Sequence, residues 1–532
     1  MAWTMVADEA ALLAAGRLVV RVEGRQILLV ATNQGLFATA NRCPHEGYPL
    51  SEGTLAGCML TCNWHNWKFD LASGETLVGG DTLRRYPMRI EAGQVWLDPA
   101  DPPVAAQRTA LLDGLVQALG DRDQQRQLRE AARLDRLGVD PLDAVRTALA
   151  WAHERLEYGT THAFAAIPDW LRLQADPDLP ADARLMALGE ILGHIGDDVA
   201  GAEARFRFAT EVSAWDAARF QDAIEREDEP AAVALLRGAL ALPAWPADLP
   251  GALVAAALEH YADFGHSLIY TTQALRLIDR LGPGVVEPVL LALVRALVYA
   301  QREDLLPEFR DYRQRCRSWW QPGDRFLALA SDPPPPLHAL ALRRTSAKQA
   351  MAIVGAWAPI HPPEAIFAIL TETVAWQLLH ADAPFLDSVD QKLSENVGWL
   401  DFTHGLTFAA AGLDAVRIDA SLWPALLLQL ACFVGRNSRY VDPDLATGEW
   451  GVGAVRPFLA DASLRVVNHG QGRFVLSAHL AKTLFAAVEL AEAVPAVAPT
   501  LLAATNRFLE APLRGRNPRR AARQMLAFVA EE

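Results

Sequence analysis

Four residues near the N-terminus constrain this chain more than any other feature: Cys43-Pro44-His45 and Cys62-Asn63-Trp64-His65. Each phrase offers one thiol and one imidazole, and sixteen residues separate the two. Two facing loops would bring all four donors to one point. Tetrahedral zinc accepts a Cys₂His₂ set. Zinc fingers, however, pair like with like, a Cys-x-x-Cys followed by a His-x-x-x-His, whereas here each loop supplies one of each. The same four ligands suit a 2Fe–2S centre in which two Cys hold one iron and two His hold the other. Single-electron chemistry of that kind requires a partner site.

The flanks favour the iron–sulfur reading. The stretches Cys43-Pro44-His45-Glu46-Gly47-Tyr48-Pro49-Leu50 and Cys62-Asn63-Trp64-His65-Asn66-Trp67-Lys68-Phe69-Asp70, continued by Leu71-Ala72-Ser73-Gly74-Glu75, resemble Rieske ferredoxins and the Rieske domains of ring-hydroxylating oxygenases. The resemblance covers roughly the first hundred residues. It implies a cluster held by Cys43, His45, Cys62 and His65. Respiratory-complex Rieske proteins carry a loop disulfide that has no counterpart in Glu46-Gly47-Tyr48 or Asn63-Trp64, so the resemblance is to the ferredoxin or oxygenase type, and Cys58 is expected to be a buried free thiol. Short apolar runs at Leu18–Val22, Gln26–Ala31, Leu36–Ala40 and Gln94–Leu97 read as strands of a small antiparallel β-domain.

The 532 residues suggest more than one domain. Acidic side chains outnumber Lys and Arg by 64 to 49, a net charge of −15, which argues against a nucleic-acid surface. Five cysteines, two of them cluster ligands, give no disulfide framework. The N-terminus has neither a basic nor an apolar leader segment, and the longest apolar stretch, Leu422 to Val434, is too short to span a bilayer. These features lead to the expectation of a cytoplasmic protein without a membrane segment.

After Asp98-Pro99-Ala100-Asp101-Pro102-Pro103 the pattern changes to Ala- and Leu-rich helical periodicity. Ala105–Leu119, Asp140–Leu156, Arg184–Leu192, Val285–Ala300 and Pro363–Leu379 read as helices. The expected fold is multidomain: a small all-β Rieske domain at 1–103, then a large all-α domain of repeated helix pairs at 104–532. A proline run, Asp332 to Pro336, would divide the latter into halves 104–332 and 337–532. Internal repetition is visible. Asp263-Phe264-Gly265-His266-Ser267-Leu268-Ile269-Tyr270 aligns with Asp401-Phe402-Thr403-His404-Gly405-Leu406-Thr407-Phe408, with looser copies around His162 and His479. A second His stands upstream of three units, at His153, His260 and His469.

These histidines have two readings. They cap or fill equivalent core positions, or they converge on one interior point. Asp263 and His266, like Asp401 and His404, are three apart and so share a helix face if helical. The pair resembles the Glu-x-x-His of carboxylate-bridged di-iron bundles. The expected ligands are Asp263, His266, Asp401 and His404, then His162, His479 and Glu157, then His153, His260 and His469. Such a set would suit a second iron, mononuclear or di-iron.

The helical part lacks the ligand set of the Rieske ring-hydroxylase catalytic domain. Phe402-Thr403-His404-Gly405-Leu406-Thr407, Tyr158 to Ala163 and His260 to Tyr270 resemble segments of questin-oxidase-like proteins, a resemblance that implies oxidative chemistry on aromatic compounds. The expected function is therefore an oxidoreductase, an oxygenase using dioxygen on an apolar or aromatic small molecule, with electrons from an external reductase or ferredoxin. A homo-oligomer is compatible by analogy with Rieske oxygenases. The alternative is a Rieske electron-transfer or redox-sensing module fused to a non-catalytic helical scaffold.

Overall fold

The structure is a computed structural model that describes residues 3–319 and 336–531. Most of the expected proline break, residues 332–335, lies outside the described residues. The chain divides into two compact units, Met1–Ala118 with Asp123–Pro141, and Leu119–Arg122 with Leu142–Glu532.

The first unit is built on ten strands: β1 (Thr4–Asp8), β2 (Arg17–Val22), β3 (Arg25–Thr32), β4 (Gly35–Ala40), β5 (Thr54–Ala56), β6 (Met59–Thr61), β7 (Lys68–Asp70), β8 (Thr76–Val78), β9 (Met88–Glu91) and β10 (Gln94–Leu97). They form three antiparallel sheets, ordered β1-β10-β9, β2-β3-β4 and β5-β6-β7-β8. The period of two along β3 places its side chains in two cores. Ile27 and Leu29 pack with Leu12, Val95 and Leu97. Leu28 and Val30 pack with Leu60, Phe69 and the side chains of Cys43 and Cys62. The sheet thus anchors both ligand loops through one continuous apolar strand. Cys58 is free and half-buried rather than buried, with its Sγ 3.6 Å from Thr32 Oγ1; its place in the short β5–β6 turn leaves one side to solvent.

Two helices, Val104–Asp121 and Gln124–Arg136, complete this unit beyond the compositional break at 103. The second carries Arg126, Arg129 and Arg133 onto Asp81, whose side chain is only 3% exposed, with N···O distances of 3.1, 2.9 and 3.4 Å. A buried carboxylate requires such partners.

The second unit is helical. Four of its helices, His162–Ala175, His266–Leu281, Trp399–Ile418 and Phe474–Ala493, each pack against the next around a closed ring. Helices at 181–199, 286–298, 423–437 and 498–509 follow the four in the chain and pack against them. This is the repeated helix-pair arrangement. The Phe474–Ala493 helix is long and apolar enough to cross a membrane by length and composition alone, but two-thirds of it is buried in the protein interior.

Candidate functional site

The two ligand loops of the β-rich unit have the same backbone form. In the first, Cys43 N–H donates to Tyr48 O and Gly47 N–H to Cys43 O, both at 2.9 Å; in the second, Cys62 N–H donates to Trp67 O at 2.8 Å and Asn66 N–H to Cys62 O at 3.0 Å. Each loop closes through one left-handed residue, Gly47 at φ 79° and Asn66 at φ 60°, residue types that tolerate this region. Cys43 and Cys62 are buried, and the imidazoles of His45 and His65 meet edge to face at 4.7 Å, more exposed. His45 stacks on Trp67 at 4.5 Å. Burial pushes the Cys43 thiol up to about 11, with Cys62 close by, so it is a bound cation that would turn the pair into thiolates. Two inner sulfurs and two outer imidazole nitrogens fit a 2Fe–2S centre with a sulfur-ligated and a nitrogen-ligated iron. Arg129 Nη1–H donates to His45 O at 3.2 Å, tying the ligand loop to the arginine helix.

In the helical unit, His162, His266, His404 and His479 all fall within the first two turns of their helices and meet at one end of the four-helix ring. His266 Nε2 lies 3.1 Å from His162 Nε2 and 2.9 Å from His404 Nε2. The His479 ring is 5.0 Å from that of His162 and 4.8 Å from that of His404. Each opposite nitrogen faces a polar group. His404 Nδ1 is 2.6 Å from Leu400 O, an acceptor, so it must carry the proton there and leave Nε2 bare. His162 Nδ1 meets Tyr270 Oη at 3.2 Å, and His266 Nδ1 faces Asp263 Oδ2 at 3.7 Å. Thr403 donates its hydroxyl to Leu400 O, which leaves its oxygen to accept from His479 Nδ1 at 3.2 Å; His479 Nε2 is buried with no partner among the described residues.

Burial, followed by the neighbouring imidazoles and Lys482, holds His162, His404 and His479 well below the ordinary histidine range. His404, with its proton on Nδ1, therefore points an Nε2 lone pair at His266 Nε2. That arrangement repels unless a proton or a cation sits between them. Three nitrogens all within 4.8 Å of one another, two of the pairs about 3 Å apart, could share an ion at the roughly 2.0–2.1 Å typical of metal–imidazole bonds, and polar partners at the remote nitrogens are what orient metal-ligating histidines.

The remaining expected ligands lie elsewhere. Asp263 is not on a helix face with His266. Asp263, Phe264 and Gly265 are three successive left-handed residues, at φ 46°, 56° and 80°, and the helix begins only at His266. Asp263 therefore reaches the remote nitrogen of His266. Asp401 accepts from Gly398 N–H at 2.8 Å and faces Arg436, stabilising the start of its helix. Glu157 is exposed. His153 bonds Ala150 O at 2.8 Å. His469 pairs with Glu190 at 3.1 Å. His260 is gripped on both sides, Nδ1 by Asp304 at 2.9 Å and Nε2 by Glu225 at 2.7 Å. No carboxylate oxygen joins the three-imidazole group among the described residues, so a carboxylate-bridged pair of irons finds no bridge there. The Asp-x-x-His repeat is legible in sequence, but the two copies start their helices at different points.

Residues that the sequence did not flag complete the site. Tyr270 and Thr403 orient two imidazoles. Phe264 lies edge-on to His404 at 4.6 Å, with the Arg436 guanidinium stacked on its other side at 3.9 Å. Helical spacing from each His, four residues on for Tyr270 and one before for Thr403, was the available signal. A cavity of about 760 Å³ is lined by His260, Glu225, Arg313 and Leu258 and by Ser267, the chain neighbour of His266; Ser267 Oγ is buried and unpartnered among the described residues.

A family model for the Rieske [2Fe-2S] domain matches residues 2–84. The chain is 38% identical over 98 residues to 4beta-methylsterol monooxygenase of Methylococcus capsulatus, spanning 16% of this chain and 27% of that protein. It is 34% identical over 81 residues to the ferredoxin component of a naphthalene 1,2-dioxygenase system of Pseudomonas aeruginosa, spanning 15% of this chain and 78% of that one. Among solved structures it is similar to the ferredoxin of carbazole 1,9a-dioxygenase from Nocardioides aromaticivorans IC177, with 20% identity, a TM-score of 0.18, and 19% of this chain against 100% of that chain covered.

Proposed function

We propose, for a chain that belongs to the Rieske [2Fe-2S] family through its N-terminal domain, a Rieske-coupled oxidoreductase whose helical unit holds a mononuclear metal ion on His162, His266 and His404, with His479 beside them, and uses dioxygen on an apolar or aromatic small molecule. The single observation that carries this reading is the convergence of three Nε2 atoms whose remote nitrogens each face a polar group. When bound, the cluster supplies single electrons and a redox-active ion on the imidazoles supplies dioxygen chemistry.

The chain's own residues do the rest. The Leu400 carbonyl holds His404 in the ligating tautomer, and Tyr270 and Asp263 face the remote nitrogens of His162 and His266. Three protein ligands leave coordination positions open, the mark of a catalytic rather than a structural site. The cavity that reaches Ser267 falls in the size range of small-molecule pockets. His45 and His65 present the outer edge of the cluster to an external reductase or ferredoxin. The kinship of the N-terminal domain with oxygenase components supports the reading, as does the resemblance of the His-bearing helical segments to questin-oxidase-like proteins.

Metal analysis of anaerobically purified protein tests it. Three metal equivalents per chain are expected, two from the cluster and one from the imidazoles. The double variant His266→Ala/His404→Ala should drop to two with an unchanged cluster spectrum. Two equivalents in the unaltered chain would return the helical unit to the role of a scaffold.

A further inference from the structure

Seven residues beyond the converging histidines, one polar layer deeper, the four-helix ring contains groups that packing does not explain. Asp169 follows His162 by seven and Gln273 follows His266 by seven; they are hydrogen-bonded at 2.7 Å. Thr407 and Lys482 stand three residues beyond His404 and His479 and line the same small cavity. The four helices therefore run in the same direction, and this layer lies directly beneath the imidazoles.

Lys482 is 2% exposed, and its Nζ has no hydrogen-bond partner among the described residues. A buried ammonium left unpaired is expensive, and an apolar side chain would serve the core better. The cavity beside it, about 20 Å³, has room for a water with polar partners in Asp169, Gln273 and Thr407. On its outer side it ends at Arg276 and Glu489, an ion pair at 2.8 Å that is partly open to solvent. Glu489 and Arg276, partly open to solvent, line one cavity with Asp169 and Lys482, and Lys482 stands three residues beyond His479 on the same helix.

We infer that Lys482, recharged through Asp169, delivers protons from solvent to the imidazole site. The inference rests on the function proposed above. Insertion of one oxygen atom into a substrate C–H bond follows RH + O₂ + 2 e⁻ + 2 H⁺ → ROH + H₂O. The O–O and C–H bonds break, C–O and O–H bonds form, and two electrons arrive singly from a one-electron donor protein. The two protons leave the Lys482 ammonium in turn, and each is replaced from water by way of Asp169. Burial lowers Lys482 and raises Asp169, which brings donor and supplier closer in proton affinity. The charged and titratable groups around Lys482 are Asp169, Arg276, Glu489, His194 and the imidazoles of His162, His404 and His479.

The test follows reoxidation of the anaerobically reduced, metal-replete full chain by dioxygen. The unaltered chain should show a solvent deuterium isotope effect. K482M should react about 100-fold more slowly, lose most of that isotope effect, and keep its metal content and cluster spectrum; K482R, whose guanidinium keeps the charge but cannot give up its proton, should stay slow. D169N, remote from the imidazoles, should also slow the reaction, and it decides the matter if the K482M substitution empties the metal site. K482M or D169N reacting at the unaltered rate with full metal overturns the relay. A His266→Ala/His404→Ala chain that reoxidises as fast as the unaltered one overturns instead the proposed role of the imidazole site, so the two failures are distinct.

Discussion

Histidine chemistry in this chain is decided by what each ring nitrogen touches. Three of the converging imidazoles, His162, His404 and His479, are kept neutral by burial and by charged and imidazole neighbours, which is the state a metal requires. His260, in contrast, is held above the ordinary range by Asp304 and Glu225 against the opposing effect of burial, so it favours a proton over a metal. His194 offers a clean test of these electrostatics. It is 3% exposed, and burial lowers it to about 4 from an ordinary 6.5. Below pH 6.5 the unfolded chain binds a proton there that the folded chain refuses, so stability is intact above 6.5 and is lost as pH falls toward 4. The loss amounts to about 3 kcal/mol. Relative to His194→Asn, the unaltered protein should melt progressively earlier between pH 6.5 and 4; parallel melting curves at both ends of that window would contradict the assignment.

At the scale of elements, the instructive pair is the two copies of Asp-x-x-His. Trp399–Ile418 begins five residues before His404, so Asp401 is inside the helix and serves its first turn. The other copy is arrested by Asp263, Phe264 and Gly265. Gly265 is required there by more than its φ of 80°. A Cβ at that position would lie 2.8 Å from Phe433 Cζ and 2.9 Å from Phe408 Cδ2. Gly265→Ala should cost about 1–3 kcal/mol, from left-handed strain and overpacking together, and should displace His266 from the imidazole group. Thermal melting reads the first effect and metal content the second. The recurrence of Asp and His was plain in the sequence, but the choice between ligand, orienting partner and helix-end acceptor depended on where each helix starts. Strained backbone just before His266 set that start, and no propensity rule anticipates three left-handed residues in a row.

At the scale of the molecule, the composition break at Pro103 marks the end of the strands but not of the compact unit, which continues to Pro141. The reason is Asp81. Its carboxylate is buried, and all three guanidinium partners come from the Gln124–Arg136 helix. A chain ending at Pro141 should fold by itself and assemble the cluster. One ending at Pro103 strands that carboxylate and should be weaker by about 3–5 kcal/mol, the usual consequence of removing one side of a buried ion pair. Chemical denaturation followed through the visible cluster spectrum compares the two, and equal midpoints would show that the arginine helix is dispensable.

The strands and the two loops that carry Cys43, His45, Cys62 and His65 were readable from the chain because both depend on local order: alternation along β3 and fixed spacing within two short loops, each closed by its own backbone hydrogen bonds. The helical repeats were readable for the same reason, since apolar periodicity and recurring His are properties of consecutive residues. The composition of the imidazole group was a tertiary decision. It joins residues 104 and 138 positions apart, it admits His479 to its edge, it sends Asp401, His153, His260 and His469 to other partners, and it leaves Glu157 exposed. Sequence spacing fixes which face of a helix a residue occupies. Only the packing of four helices around one axis settles which faces meet, and so which of the chain's histidines are left with a bare nitrogen aimed at a common point.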